Sequence, residues 1–280
     1  MAADVREIAC DESGYEGQAI VNSPTTVFAH GSVHISPEAA VDCMAELRAR
    51  IRSPATEYKA NHLLRDKHRD VLLWLLGPGG PVHGRAYVQL VDKPRFLVRV
   101  LLDQLIDAPE REATLPVTDE PRWRRFLAAA NALLRTREPL DPTAADAVFW
   151  SIDDLRRGGL PPAADETLAL LAKSRARADE IHERARTDPP AFAPVDLLAP
   201  AIVNAVAHWG PVRIVHDFQS TLTPTRVAWL RAAAPDLVSL TLVDSNDDPR
   251  VQVADIIAGT VRVIASRTDP ELTALAAAYV

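Results

Sequence analysis

The 280-residue sequence predicts an α/β layered fold that carries a long helical insertion. Three observations lead to it. Extended apolar segments open the chain and return near its end. Between them about a hundred residues show helical periodicity without a strand signal, which is too long a stretch for a loop. The final part then alternates strand, helix, strand and helix, as layered α/β domains do.

In order, residues 5–10 form a first strand and 26–35 a second, separated by a polar turn containing Asn22, Ser23 and Pro24. Ser36 and Pro37 give a helix its N-cap and first-turn proline. Val41, Met44, Leu47 and Ile51 then recur at spacings of three and four along one face. Residues 66–76 predict a helix stopped by the glycine- and proline-rich turn at 77–81. Residues 85–91 read as a strand and 96–106 as a helix. Four more helices are expected over 123–134, 144–155, 164–184 and 195–207. Strand character returns at 212–216 and ends at Asp217. Thr223 and Pro224 start a helix that runs to Ala234, and 237–243 is a last strand. Asp248 and Pro249 cap a final helix that is apolar nearly all round and therefore buried. The expected division is 1–107 and 210–280 as two parts of one core, with 108–209 as the helical insertion.

Composition narrows the class. With 48% hydrophobic and 25% charged residues, the chain is an ordinary globular one. No run approaches the roughly 18 apolar residues of a membrane span, and the N-terminus lacks a signal-peptide pattern. The expectation is a cytoplasmic protein that does not engage a membrane. Cys10 and Cys43 have no metal-ligand spacing and build no disulfide framework. A net charge of −7 excludes a general basic coat, while leaving room for a local arginine cluster to grip phosphate. Phosphate-loop and nucleophile-elbow motifs are both missing from the sequence, which sets P-loop hydrolysis and serine acyl transfer aside.

The carboxylates carry the chemistry. Asp11 and Glu12 end the first apolar run, Asp217 follows a later strand, and Asp255 sits among aliphatic residues two turns into the last helix. A lone buried carboxylate is costly unless it is paired, protonated or bound to a cation. If the last helix packs beside the first strand, Asp255 approaches Asp11 and Asp217. Glu57 and Lys59, two apart, share a face of an extended segment and add a fourth carboxylate and a phosphate-facing ammonium. Such a cluster suits Mg²⁺ or Mn²⁺, whose paired ions serve phosphodiester cleavage.

Plainer readings stand beside this one. Asp11 and Glu12 can begin a polar turn, Glu57 can lie on the surface, Asp217 can cap a turn with Gln219 and Ser220, and Asp255 can pair with Arg250. Asp248 reads as a structural cap. His30 and His34 share a strand face, about 13 Å apart, too far to chelate one ion. His62 and His68 read as surface residues. His216 points away from Asp217 by strand alternation, which favours a structural role. Arg122, Arg124 and Arg125 around Trp123, with the basic residues up to Arg186, are interspersed with acids and read as solvated helix faces.

Residues 11–14 as DESG, 57–59 as EYK, 243–245 as VDS, and Gln252, Ala254, Asp255, Ala258 and Gly259 as QxADxxAG together resemble the DUF3800 family. The likeness covers the chain ends and the first third. It implies an RNase H-like mixed central sheet with helices on both faces and an acidic metal site. By motif, Asp11 is then the first-strand carboxylate, Asp255 the helix carboxylate and Glu57 the acid of the E-x-K segment, with Asp217 the carboxylate after a later strand. The expected function is a divalent-metal-dependent phosphodiester hydrolase, a nuclease acting on RNA or DNA. Asp11, Glu57, Asp217 and Asp255 would hold the ion, assisted by Lys59. The alternative is a non-catalytic module whose helical insertion docks a partner or forms a homo-oligomer.

Overall fold

Five strands form one sheet in the order β3-β2-β1-β4-β5. They are β1 (Arg6–Ser13), β2 (Val27–Val33), β3 (Ala86–Asp92), β4 (Val212–Asp217) and β5 (Leu237–Val243). The computed structural model describes residues 5–52, 59–136, 140–187, 194–267 and 269–280. Helices α1 (Pro37–Ile51), α2 (Ala60–Leu63) and α3 (Arg69–Leu76) precede β3. Then come α4 (Lys93–Ile106), α5 (Pro121–Leu134), α6 (Ala144–Arg157), α7 (Pro162–Leu171) and α8 (Arg175–Thr187). The chain closes with α9 (Leu198–Trp209), α10 (Pro224–Ala233), α11 (Pro249–Ala265) and α12 (Pro270–Ala276) around the last two strands.

The sheet is mixed. β2 runs antiparallel to β1, with Ala9 opposite Val33 and Glu12 opposite His30. β4 runs parallel to β1, with Cys10 opposite His216, and β5 parallel to β4. Parallel neighbours need a crossover, and α10 supplies the one between β4 and β5. The expected α/β fold, a mixed central sheet flanked by helices, is what the chain adopts.

Helices cover both faces. Ala9, Ala29 and Val33 share a core with Val251, Ala254, Ala258 and Val261 of α11 and with Leu47 of α1. Ser32, one residue before Val33 and so on the opposite face, accepts a 2.8 Å hydrogen bond from the indole of Trp209 at the end of α9. Gly31 allows α11 its close approach. A Cβ there would lie 2.8 Å from the Ala254 carbonyl and 3.0 Å from the Ala258 methyl.

Two compact units divide the chain. One comprises 1–15, 27–91 and 197–280 and holds the sheet. The other is helical and comprises 92–196 together with 16–26, the connection between β1 and β2. α4 thus belongs to the helical unit and α9 to the sheet unit. In the helical unit Phe126, Leu133, Ile152, Leu168 and Ile181 are buried, and so is Lys93. The Lys93 ammonium bonds the Glu16 carboxylate, Ser23 Oγ (3.1 Å) and Thr25 Oγ1 (3.2 Å). Among the described residues no helix is long and apolar enough to cross a membrane.

Several element limits differ from expectation. β1 runs three residues beyond 10, because its ladder with β2 continues to Ser13 opposite Ala29. The single helix expected over 164–184 is two, α7 and α8, separated by a turn in which Ser174 Oγ donates to the Leu171 carbonyl at 2.7 Å. Residues 66–68 form a 3₁₀ turn ahead of α3.

Candidate functional site

The extended β1 makes Asp11 and Glu12 strand residues, so alternation sends them to opposite faces. Asp11 follows Ala9 onto the α11 face and is buried. One residue past the Cys10–His216 pair, Asp217 ends the adjacent parallel strand on that face. Asp255 comes from α11, next to the Ala254 carbonyl that rests on Gly31. Burial first, then the charges of Glu12, Asp255 and Asp217, push the Asp11 carboxyl up to about 9. A hydrogen bond from the Glu12 amide to Asp11 Oδ1, 2.7 Å, works in the opposite direction. The structure thus brings Asp217 and Asp255 within electrostatic reach of Asp11, from two strands and a helix far apart in sequence.

Lys59 also reaches this edge. Its ammonium lies 3.2 Å from Asp255 Oδ2; the Lys59 side chain is 53% exposed and that of Asp255 16%. The position of Lys59 follows from its neighbours. Its backbone amide donates to His62 Nδ1 at 3.2 Å, and Ala60 fits against Gly259, where a Cβ would come within 2.7 Å of the Ala60 methyl. One further turn along α11, Arg262 Nε donates to Ser13 Oγ at 3.1 Å, tying the helix to the end of β1. Glu57 lies outside the described residues.

The other face of the sheet holds a group the sequence did not point to. Glu12 Oε2 lies 3.8 Å from His216 Nε2, and His216 Nε2 lies 3.2 Å from His30 Nε2. His216 Nδ1 is 2.8 Å from the Asp217 carbonyl, which can only accept, so the proton sits on Nδ1 and the neutral ring presents a lone pair at Nε2. His30 Nε2–H must then donate to it. Burial holds both imidazoles below their usual range. Glu12 Oε1 accepts from Gln219 Nε2. Burial, followed by the Asp217 charge, raises Glu12 to about 7, against the lowering effect of the Gln219 bond. The antiparallel pairing of Glu12 with His30 is the register fact that assembles this group, and no local sequence pattern encodes it.

Several plainer readings are resolved. Arg250 bonds Asp248 and Glu7, while Asp255 pairs with Lys59. Gln219 reaches back to Glu12 instead of making a local turn with Asp217. Asp248 is a cap, accepting from the Arg250 amide at 2.9 Å. His216 has the structural bond that alternation implied. His68, read as a surface residue, is buried. Trp123 is buried, and Arg122 and Arg125 pair with Asp154, so the basic residues around that tryptophan make ordinary surface ion pairs.

Among the described residues no group of three or more His, Cys, Asp or Glu side chains is closed into metal-binding geometry. The donor set itself is all hard oxygen at the α11 face, the chemistry that suits Mg²⁺ or Mn²⁺. Comparison of the chain with protein-family models, with curated proteins and with solved structures returns no match. What defines the molecule is an α/β sheet with three acidic side chains converging where β1 and β4 end.

Proposed function

We propose that the protein is a divalent-metal-dependent phosphodiester hydrolase, a nuclease acting on RNA or DNA, in which Asp11, Asp217 and Asp255 hold Mg²⁺ or Mn²⁺. One observation carries this reading: buried Asp11 at the end of β1 is joined by Asp217 at the end of β4 and Asp255 of α11, and burial and these charges raise the Asp11 carboxyl. A fold that gathers acids at such electrostatic cost gains from a cation that lets all of them ionise. The motif likeness to the DUF3800 family supports it, and Glu57 would complete the ligand set.

A bound divalent ion would supply charge neutralisation at the phosphate and activation of the attacking water. The chain's own residues do the rest. Gly31 lets α11 lie close on the sheet, and Asp255 of that helix acts electrostatically on Asp11. Lys59 offers a half-exposed ammonium that offsets phosphate charge. Glu12, anchored by Gln219, holds a proton up to about pH 7 on the opposite face of the sheet, and its charge acts on Asp11 through the strand. The two cysteines, buried and unpaired, are in keeping with a cytoplasmic place of action.

The Lys59–Asp255 ion pair also favours a second reading. A carboxylate already neutralised by a lysine needs no metal, and the fold would then serve as a binding or assembly module, with the helical unit as docking or homo-oligomer surface. Calorimetric titration with Mn²⁺ into the millimolar range separates the two. Saturable binding in the wild type, lost in Asp11→Asn and in Asp255→Asn, is the expected result. No binding in the wild type, with both variants folded and at least as stable, would leave the module reading in its place.

A further inference from the structure

Among the described residues Phe218 is the most exposed large hydrophobic side chain, at 65%. A single exposed apolar residue is common on protein surfaces and means nothing by itself. Its setting gives this one significance. Phe218 follows Asp217 directly, so its Cα lies one peptide, about 3.8 Å, from that of the aspartate. The loop that carries it is anchored on both sides. Gln219 bonds Glu12, Leu222 is buried and closes a 3.0 Å backbone turn onto Gln219, and Thr223 caps α10. The backbone is held while the ring is left in water.

A second aromatic lies on the helix that follows. Trp229 is half exposed, and the Arg226 guanidinium sits 5.1 Å from its ring centre, in the first turns of α10. Residues 218–223 link the C-terminal end of β4 to α10, so Phe218 lies at the sheet edge where the carboxylates converge and Trp229 lies on the helix leading away from it.

Charge decides what such rings are for. The chain carries a net −7, and Arg125, Arg156, Arg175, Arg177 and Arg186 of the helical unit each pair with a neighbouring acid. A polyanion therefore finds no general basic coat to grip its backbone. Affinity has to come from contacts that ignore phosphate, and the face of a nucleobase against an aromatic ring is the strongest such contact. Inside a duplex those faces are already stacked on their neighbours.

We propose that Phe218 stacks on a nucleobase next to the phosphodiester, extended by Trp229, so that the site takes single-stranded nucleic acid in preference to duplex. This rests on the phosphodiester reading above and specifies its substrate.

The test is fluorescence anisotropy with labelled 12-nucleotide single strands of DNA and of RNA and with a blunt 12-base-pair DNA duplex. All are in Ca²⁺, a hard cation used in place of Mn²⁺, with strand integrity checked on a gel. The proteins are wild type, Phe218→Ala and Phe218→Tyr, each checked by thermal unfolding. Wild type should bind a single strand more tightly than the duplex. Phe218→Ala should lose about ten-fold on the single strand, while Phe218→Tyr stays near wild type. The DNA and RNA arms show which sugar is taken. A loss below three-fold in Phe218→Ala, an equal loss in Phe218→Tyr, or a preference for the duplex overturns the inference. Hydrolysis of bis-p-nitrophenyl phosphate in Mn²⁺ that is lost in Asp11→Asn, without oligonucleotide binding, overturns the stacking inference alone. Wild type that neither hydrolyses that ester nor binds any strand overturns the phosphodiester reading as well.

Discussion

Asp11 concentrates the physics of the site in one side chain. An unfolded chain ionises this carboxyl near its ordinary value of 3.8, while the fold keeps it protonated up to about 9. Between those limits the folded state binds the extra proton, so stability falls as pH rises through this window and levels off above it. Glu12 adds a smaller contribution of the same sign between 4.5 and about 7. Asp11→Asn removes the Asp11 penalty, and without divalent metal it should be more stable than wild type at pH 7 by on the order of 1–2 kcal/mol. That gap should close at pH 4; thermal unfolding across the pH range measures it. Metal binding near neutral pH must also expel the Asp11 proton. Titrating Mn²⁺ in two buffers of different ionisation enthalpy should therefore show net proton release, absent in Asp11→Asn.

Helix α11 sets the site by how closely it lies on its neighbours. Gly31 under Ala254 and Gly259 against Ala60 are contacts with no room for a methyl group. Gly259→Ala should cost about 1–3 kcal/mol, the usual range for overpacking, and should disturb Lys59, the residue next to Ala60. Pairing it with Ala60→Gly should recover part of that loss, and a double-mutant cycle on denaturant midpoints reads the coupling. Additive losses in the two variants would mean that the glycine does not act through this contact. Gly259 is a motif position legible in the sequence and Gly31 is not, and neither contact is: Ala60 is nearly two hundred residues from Gly259.

At the scale of the whole molecule, the helical unit takes in the connection between β1 and β2. Asn131 Nδ2 donates to the Gln18 carbonyl at 2.8 Å, Gln18 Oε1 accepts from the Thr136 amide at 2.7 Å, and Lys93 ties Glu16, Ser23 and Thr25 to the start of α4. Replacing a buried cation leaves its acidic partner without a charge mate. Lys93→Ala should destabilise the helical unit by about 2–4 kcal/mol, toward the lower end because Glu16 keeps some access to water. Mn²⁺ binding below the unfolding transition should stay as in wild type, since the proposed ligands all belong to the sheet unit. Chemical denaturation together with calorimetry tests both statements.

The amino-acid sequence by itself determined the strands, the capped helices, the two acids at strand ends and the third within an apolar helix. Hydrophobic period, proline, and Ser36, Thr223 and Asp248 as caps are local signals, readable within a few residues. Only the tertiary structure decided that Glu12 faces His30 and His216, that Lys59 pairs with Asp255, and that 16–26 joins the helical unit. Those facts depend on strand register and on contacts between distant segments. A one-residue slip in register would move Asp11 to the face Glu12 now occupies while every local signal stayed the same.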